Sequence, residues 1–166
     1  MDVDDEPPEH RRYATYLRAL EAVTEADEAR LVRDVLRDEY EYPGMADSAV
    51  ALHMERRATD LLTGPRFAEW ARTMEPLIAD RGLFLTRRLH EWTLLRALAL
   101  GEPWAPVAVL GASDWFQRMA STTQIVTSSD ALAMLAEFGR TRRVRNAASR
   151  RLRELEQAGR RPAATR

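Results

Sequence analysis

Residues 127–155, TSSDALAMLAEFGRTRRVRNAASRRLREL, decide the fold. They read as a helix, a glycine turn and a second helix. Thr127 and Asp130 fit the [ST]-x-x-[DE] capping pattern, so the first helix should begin there. Leu132, Leu135 and Ala136 then share one face. Gly139 follows Phe138 and suits a left-handed helix C-cap, and Thr141 can cap the second helix. In that helix Val144, Ala147, Ala148, Leu152 and Leu155 form one apolar stripe. Arg142, Arg150 and Arg153 lie opposite the stripe and Arg145 on its flank. Arg151 falls inside it, between Ala148 and Leu155.

Working outward, the amino-terminal half repeats the same grammar. Residues 1–8 read as a disordered acidic tail, 9–158 as a single all-helical domain and 159–166 as a disordered basic tail. Pro7-Pro8 opens a helix over 9–23 with Tyr13, Tyr16, Leu17 and Leu20 on one face. Thr24 and Asp27 cap a second, running to about Tyr40, before a turn at 41–44. Asp47 caps a third with Val50, Met54, Ala58 and Leu61 inward. His53, Arg57 and Asp60 lie along its flank as the one histidine-bearing polar group; they read either as an amphipathic border or as a general base with partners. Gly64-Pro65 starts a fourth helix with the stripe Phe67, Trp70, Ala71, Met74, Leu77 and Ile78.

A fifth helix over 83–100 is apolar on two sides, with Arg87, Arg88 and Glu91 as a narrow polar strip. His90 reads as a core histidine beside Leu94 and Ala97. Arg96 projects among Leu89, Trp92 and Leu100. A buried guanidinium is costly unless paired, so it needs an acid from the first half or an anionic ligand. Val107–Leu110 is an apolar run of one helical turn or a lone strand. Ser113 caps a helix that buries Trp115, Phe116 and Met119.

Composition bounds the chemistry. The chain has 166 residues, no cysteine and no lysine, so all 25 basic residues are arginine. Disulfides, thiolate catalysis, cysteine-held zinc, Schiff-base lysines and P-loop lysines are excluded. H-E-x-x-H is absent, the seven glycines are scattered, and no serine-nucleophile motif stands out. No cofactor or metal is expected. Neither a membrane-length apolar run nor a secretory leader is visible, so a soluble cytoplasmic protein with no membrane partner is expected. Charge is uneven: 19 acids and 10 arginines in residues 1–80 against 7 acids and 15 arginines in 81–166. Such halves either complement one another or leave the basic half for something acidic.

Val144, Arg145, Ala148 and Leu152 match the V-R-x-x-A-x-x-x-L signature of HEAT repeats, and this unit resembles that family. Looser echoes are Trp115–Ala120, around Arg118, and Leu95–Leu98, around Arg96. The resemblance covers at best residues 83–155. It implies an all-α, right-handed stack of antiparallel helix pairs, a HEAT-like α-solenoid of seven or eight helices with a binding groove, and no reaction. The leading expectation is therefore a non-enzymatic protein-interaction or regulatory module, with Arg96, Arg118, Arg145 and Arg151 as candidate binding residues. The first alternative is a nucleic-acid-binding protein using the basic segment from Arg140 to Arg153. The second is a small enzyme with a helix-lined pocket around His53, Arg57, Asp60 and Arg96.

Overall fold

Helical periodicity is realised through both halves of the chain. The computed structural model describes residues 7–38 and 44–160. The expected acidic tail through residue 6, the end of the second helix at 39–40, the turn at 41–43 and the basic tail from 161 lie outside the described residues. Among the described residues there are nine helices and no strand: α1 (Pro8–Ala22), α2 (Glu28–Arg37), α3 (Met45–Leu61), α4 (Phe67–Ile78), α5 (Leu83–Leu100), α6 (Pro106–Gly111), α7 (Asp114–Thr122), α8 (Ser129–Phe138) and α9 (Arg142–Arg160). The count exceeds the seven or eight expected. The four apolar residues at 107–110, too few to show a period, belong to the short helix α6, opened by Pro106. Gly159, placed in the tail by its lack of a side chain, continues α9.

Within the span expected as one domain, the described residues form two compact units, Met1–His90 and Glu91–Arg166. In the first unit α1 and α2 pack on α3 and on each other, and α4 packs on α2. The buried stripe of α3 is Val50, Met54, Ala58 and Leu61, as its spacing predicts, and His53 joins it. The α4 stripe buries Phe67, Trp70, Met74 and Ile78, and the Phe67 and Trp70 rings meet at 5.7 Å. Gly44, at φ 95°, precedes α3 in a left-handed conformation that a side chain would strain.

In the second unit α7, α8 and α9 pack against one another and α6 packs on α8. Phe116, Leu132, Leu135, Val144 and Ala148 are among its fully buried residues. The α9 phase is therefore as read from the stripe, including the inward position of Arg151, which is only 5% exposed. Trp92 and Trp115 meet edge to face at 5.2 Å.

Two details of the deciding stretch differ from expectation. The cap of α8 is Ser128, whose hydroxyl accepts from the Ala131 amide, not Thr127. Gly139 is not left-handed: its φ of −54° and ψ of 139° suit any residue. Its requirement is steric instead. A Cβ there would collide with the Leu135 carbonyl and approach Val144 Cγ1 to 2.8 Å. Glycine lets the chain leave α8 and re-enter α9 in contact with its own preceding turn. Thr141 then caps α9 by accepting from the Val144 amide at 3.2 Å, as expected. Gly139→Ala should therefore cost about 1–3 kcal/mol of unfolding free energy through overpacking. Urea unfolding checks this, and an unchanged midpoint would refute the steric account.

Candidate functional site

The two polar constellations read from sequence have opposite characters. The first centres on a residue that the reading overlooked. Glu28 opens α2 and is buried, although it is an acid. Its position four residues before Val32 and seven before Val35 puts it on the apolar stripe of α2. Its carboxylate collects donors from two other helices. His53 Nε2 lies 2.8 Å from Oε1, Arg57 Nε lies 3.1 and 3.2 Å from the two oxygens, and Trp70 Nε1 lies 3.0 Å from Oε1.

Burial by itself would raise this carboxyl's pKa. The hydrogen bonds from His53, Arg57 and Trp70, with the Arg57 charge, outweigh it and hold the pKa at about 2, below the ordinary 4.5. The start of a helix adds a favourable dipole. Glu28 is thus ionised at neutral pH and only accepts, so His53 Nε2 must carry a proton and donate. A carboxyl so acidic is poorly matched to general-base work near pH 7. The cluster instead ties α2, α3 and α4 together. Around its rim Arg66 pairs with Glu25 at 2.6 Å, and a cavity of about 200 Å³ lies beside Glu25, Glu28 and Trp70.

The expected pocket of His53, Arg57, Asp60 and Arg96 draws its residues from both units. His53 and Arg57 turn to Glu28, whereas Asp60 is exposed. Arg96 belongs to the second unit, where its Nε lies 3.7 Å from Glu102, an acid of the following loop. His90 is exposed and 3.9 Å from Glu75, so it is no core histidine. Glu91, assigned to the polar strip of α5, is buried and accepts the Ser113 amide at 2.7 Å.

The second constellation is the basic segment, which the helical phase of α9 divides in two. One set of arginines serves the fold. Arg140 pairs with Asp114 at 2.8 Å and donates to the Ala112 carbonyl at 2.9 Å. Arg145 donates to the Gly139 carbonyl at 2.7 Å. Arg151 donates to the carbonyls of Gln124 and Val126 at 3.4 and 3.3 Å, pairs with Glu154 at 2.9 Å, and leaves its buried Nε without a partner. Gln117, buried on α7, joins this scaffold. Its Nε2 donates to the Val109 and Leu110 carbonyls and its Oε1 accepts the Arg140 amide.

The other set is free of such duties. Arg142, Arg143 and Arg150 on α9 and Arg118 on α7 line one groove of about 750 Å³. All four are exposed, and none forms an ion pair among the described residues. Asn146 lies between them, the apolar lining is Val144 and Ala147, and neither an acid nor an aromatic residue contributes. Of the four binding candidates from sequence, only Arg118 therefore faces this groove; Arg145 and Arg151 are spent on backbone carbonyls and Arg96 sits by Glu102. No group of His, Asp or Glu able to hold a metal occurs among the described residues. Comparison of the chain with protein-family models, with curated proteins and with solved structures finds no match.

Glu28→Gln keeps the size of the side chain but leaves Arg57 only the more distant Glu25 carboxylate, at 3.7 Å, and should cost about 3–5 kcal/mol. Because the folded pKa is depressed, the ionic contribution, about 3 kcal/mol from the shift, is fully present above pH 4.5 and lost as pH falls through 2. Urea unfolding of wild type and variant from neutral to acid pH should show the gap between them narrowing across that window; a constant gap would refute the assignment.

Proposed function

We propose that the protein is a non-enzymatic binding module that engages an anionic partner through the groove between α7 and α9. The single observation behind this reading is that four exposed arginines converge there with no carboxylate among the lining residues. Several arginines elsewhere in the chain are matched by acids, as with Arg30 and Asp27, Arg56 and Glu21, Arg66 and Glu25, and Arg81 and Asp47. Unmatched like charges held side by side repel one another and gain from an anion that bridges them. The low pKa of Glu28, with His53 as one of its donors, supports a scaffold role for the first unit over the enzymatic alternative.

The proposal keeps the HEAT-like reading for the second unit: α8 and α9 as an antiparallel pair stacked on α7. The short link 139–141 and the close packing of α8 on α9 support it. It also keeps a cytoplasmic setting without a cofactor. No helix among the described residues is long and apolar enough to cross a membrane.

Heparin chromatography tests the reading, because heparin is a dense polyanion of no particular sequence. The net charge is −1, so average charge gives no reason for retention. The protein should nevertheless bind at low salt, and the triple variant Arg118→Ala/Arg142→Ala/Arg150→Ala should flow through while melting as wild type does. Passage of the wild-type protein without retention would contradict the proposal.

A further inference from the structure

The composition of the groove identifies the partner's chemistry more narrowly, on the basis of the binding reading above. We infer that the anionic partner is the phosphodiester backbone of a nucleic acid, held without regard to base sequence.

Three observations lead there. First, the groove lacks what a protein ligand would use. Protein interfaces draw their affinity from buried aromatic and large apolar anchors. Here the apolar lining is Val144, already buried, and Ala147. To an acidic peptide the groove offers charge and the polar side chains of Ser121, Thr122 and Asn146, without a large apolar anchor. Phosphate recognition needs no apolar anchor, since released counterions supply the affinity. The guanidinium fork also matches phosphate oxygens in a way that an ammonium does not.

Second, the charges repeat along an axis. Arg142, Asn146 and Arg150 recur every four residues, and Arg143 lies within about 100° of them around α9. Arg142 and Arg150 are eight residues apart, about 12 Å along the helix. That length spans more than one phosphate of a strand. A lone small anion would meet only one end of this row. Arg118 on α7 faces the row from the other wall.

Third, the walls are close. α7 and α9 pack directly on one another, and packed helices have axes about 8–10 Å apart. The groove lies on the face where they meet, with residues of both helices in its lining. Because no aromatic residue lines it, bases gain no stacking platform there. The strand is therefore gripped by its backbone, with its bases outward.

The test is fluorescence anisotropy on the full chain with three labelled probes: an oligothymidine, the same length of duplex, and an oligoglutamate peptide. Four phosphate contacts predict a salt slope of about −2.8 for the single strand, or about fifty-fold weaker binding at 200 mM salt than at 50 mM. Arg142→Ala/Arg150→Ala should lower that slope to about −1.4, a sevenfold loss over the same range. Both residues are exposed, so the variant should keep the wild-type melting curve. Binding of the duplex that is weakened by the double variant would support the inference as well, whereas tighter binding of the peptide than of either nucleic acid would overturn it. Binding of the peptide but not the oligonucleotide would overturn it too, yet leave the binding-module reading standing. Failure of all three probes would remove both. Oligonucleotide binding untouched by the double variant would place the contact elsewhere and overturn the inference.

Discussion

A guanidinium turned into a helix bundle must find acceptors, and Arg151 finds them on the backbone. Its position in the apolar stripe of α9 aims it at the segment linking α7 to α8, where the Gln124 and Val126 carbonyls accept from it. Arg145, on the flank, reaches back to the Gly139 carbonyl. These bonds hold α9 at one rotation about its axis. With that rotation set, Arg142, Arg143 and Arg150 can only face the groove toward α7. The free arginines are thus a consequence of where the bound ones sit. A chain with no lysine uses one residue type for two tasks, and helical phase assigns the task.

The same logic governs the first unit with the opposite sign. There a buried carboxylate gathers donors. Glu28 costs the fold its desolvation, and three donors from α3 and α4 offset that cost. Such an arrangement fixes the mutual position of three helices but leaves little capacity for chemistry. Gln117 plays the neutral version of this part in the second unit, bridging the end of α6 to the residue before Thr141. In each unit buried polar groups therefore join elements which apolar packing alone would let slide.

Sequence periodicity exposed most of this scaffold. The stripes of α3, α4 and α9 and the inward Arg151 could be placed because 3.6-residue spacing fixes which side chains share a face. Glu28 lay on such a stripe, yet an acid amid many acids and arginines gives no sign that it is buried until its partners are seen. His53 and Arg57 were legible as neighbours on α3, but their common partner comes from 25 and 29 residues away. The groove was legible as a basic segment and not as a groove. Its fourth arginine, Arg118, belongs to a different helix, and the division of the segment into bound and free members depends on which backbone carbonyls lie nearby. Gly139 was recognised as necessary for the wrong reason, since glycine's lack of a side chain matters at close approach as much as at positive φ.

Unfolding of two neighbouring variants, Arg150→Ala and Arg151→Ala, tests the account most directly. The two residues are adjacent in sequence, identical in type and equal in charge, and differ only in the direction that the helix gives them. The account predicts that Arg150→Ala unfolds in urea at the wild-type midpoint, whereas Arg151→Ala loses about 1–3 kcal/mol with its carbonyl acceptors left unpaired. Equal midpoints for the two variants would contradict the division of labour along α9, and the groove argued from it would lose its foundation.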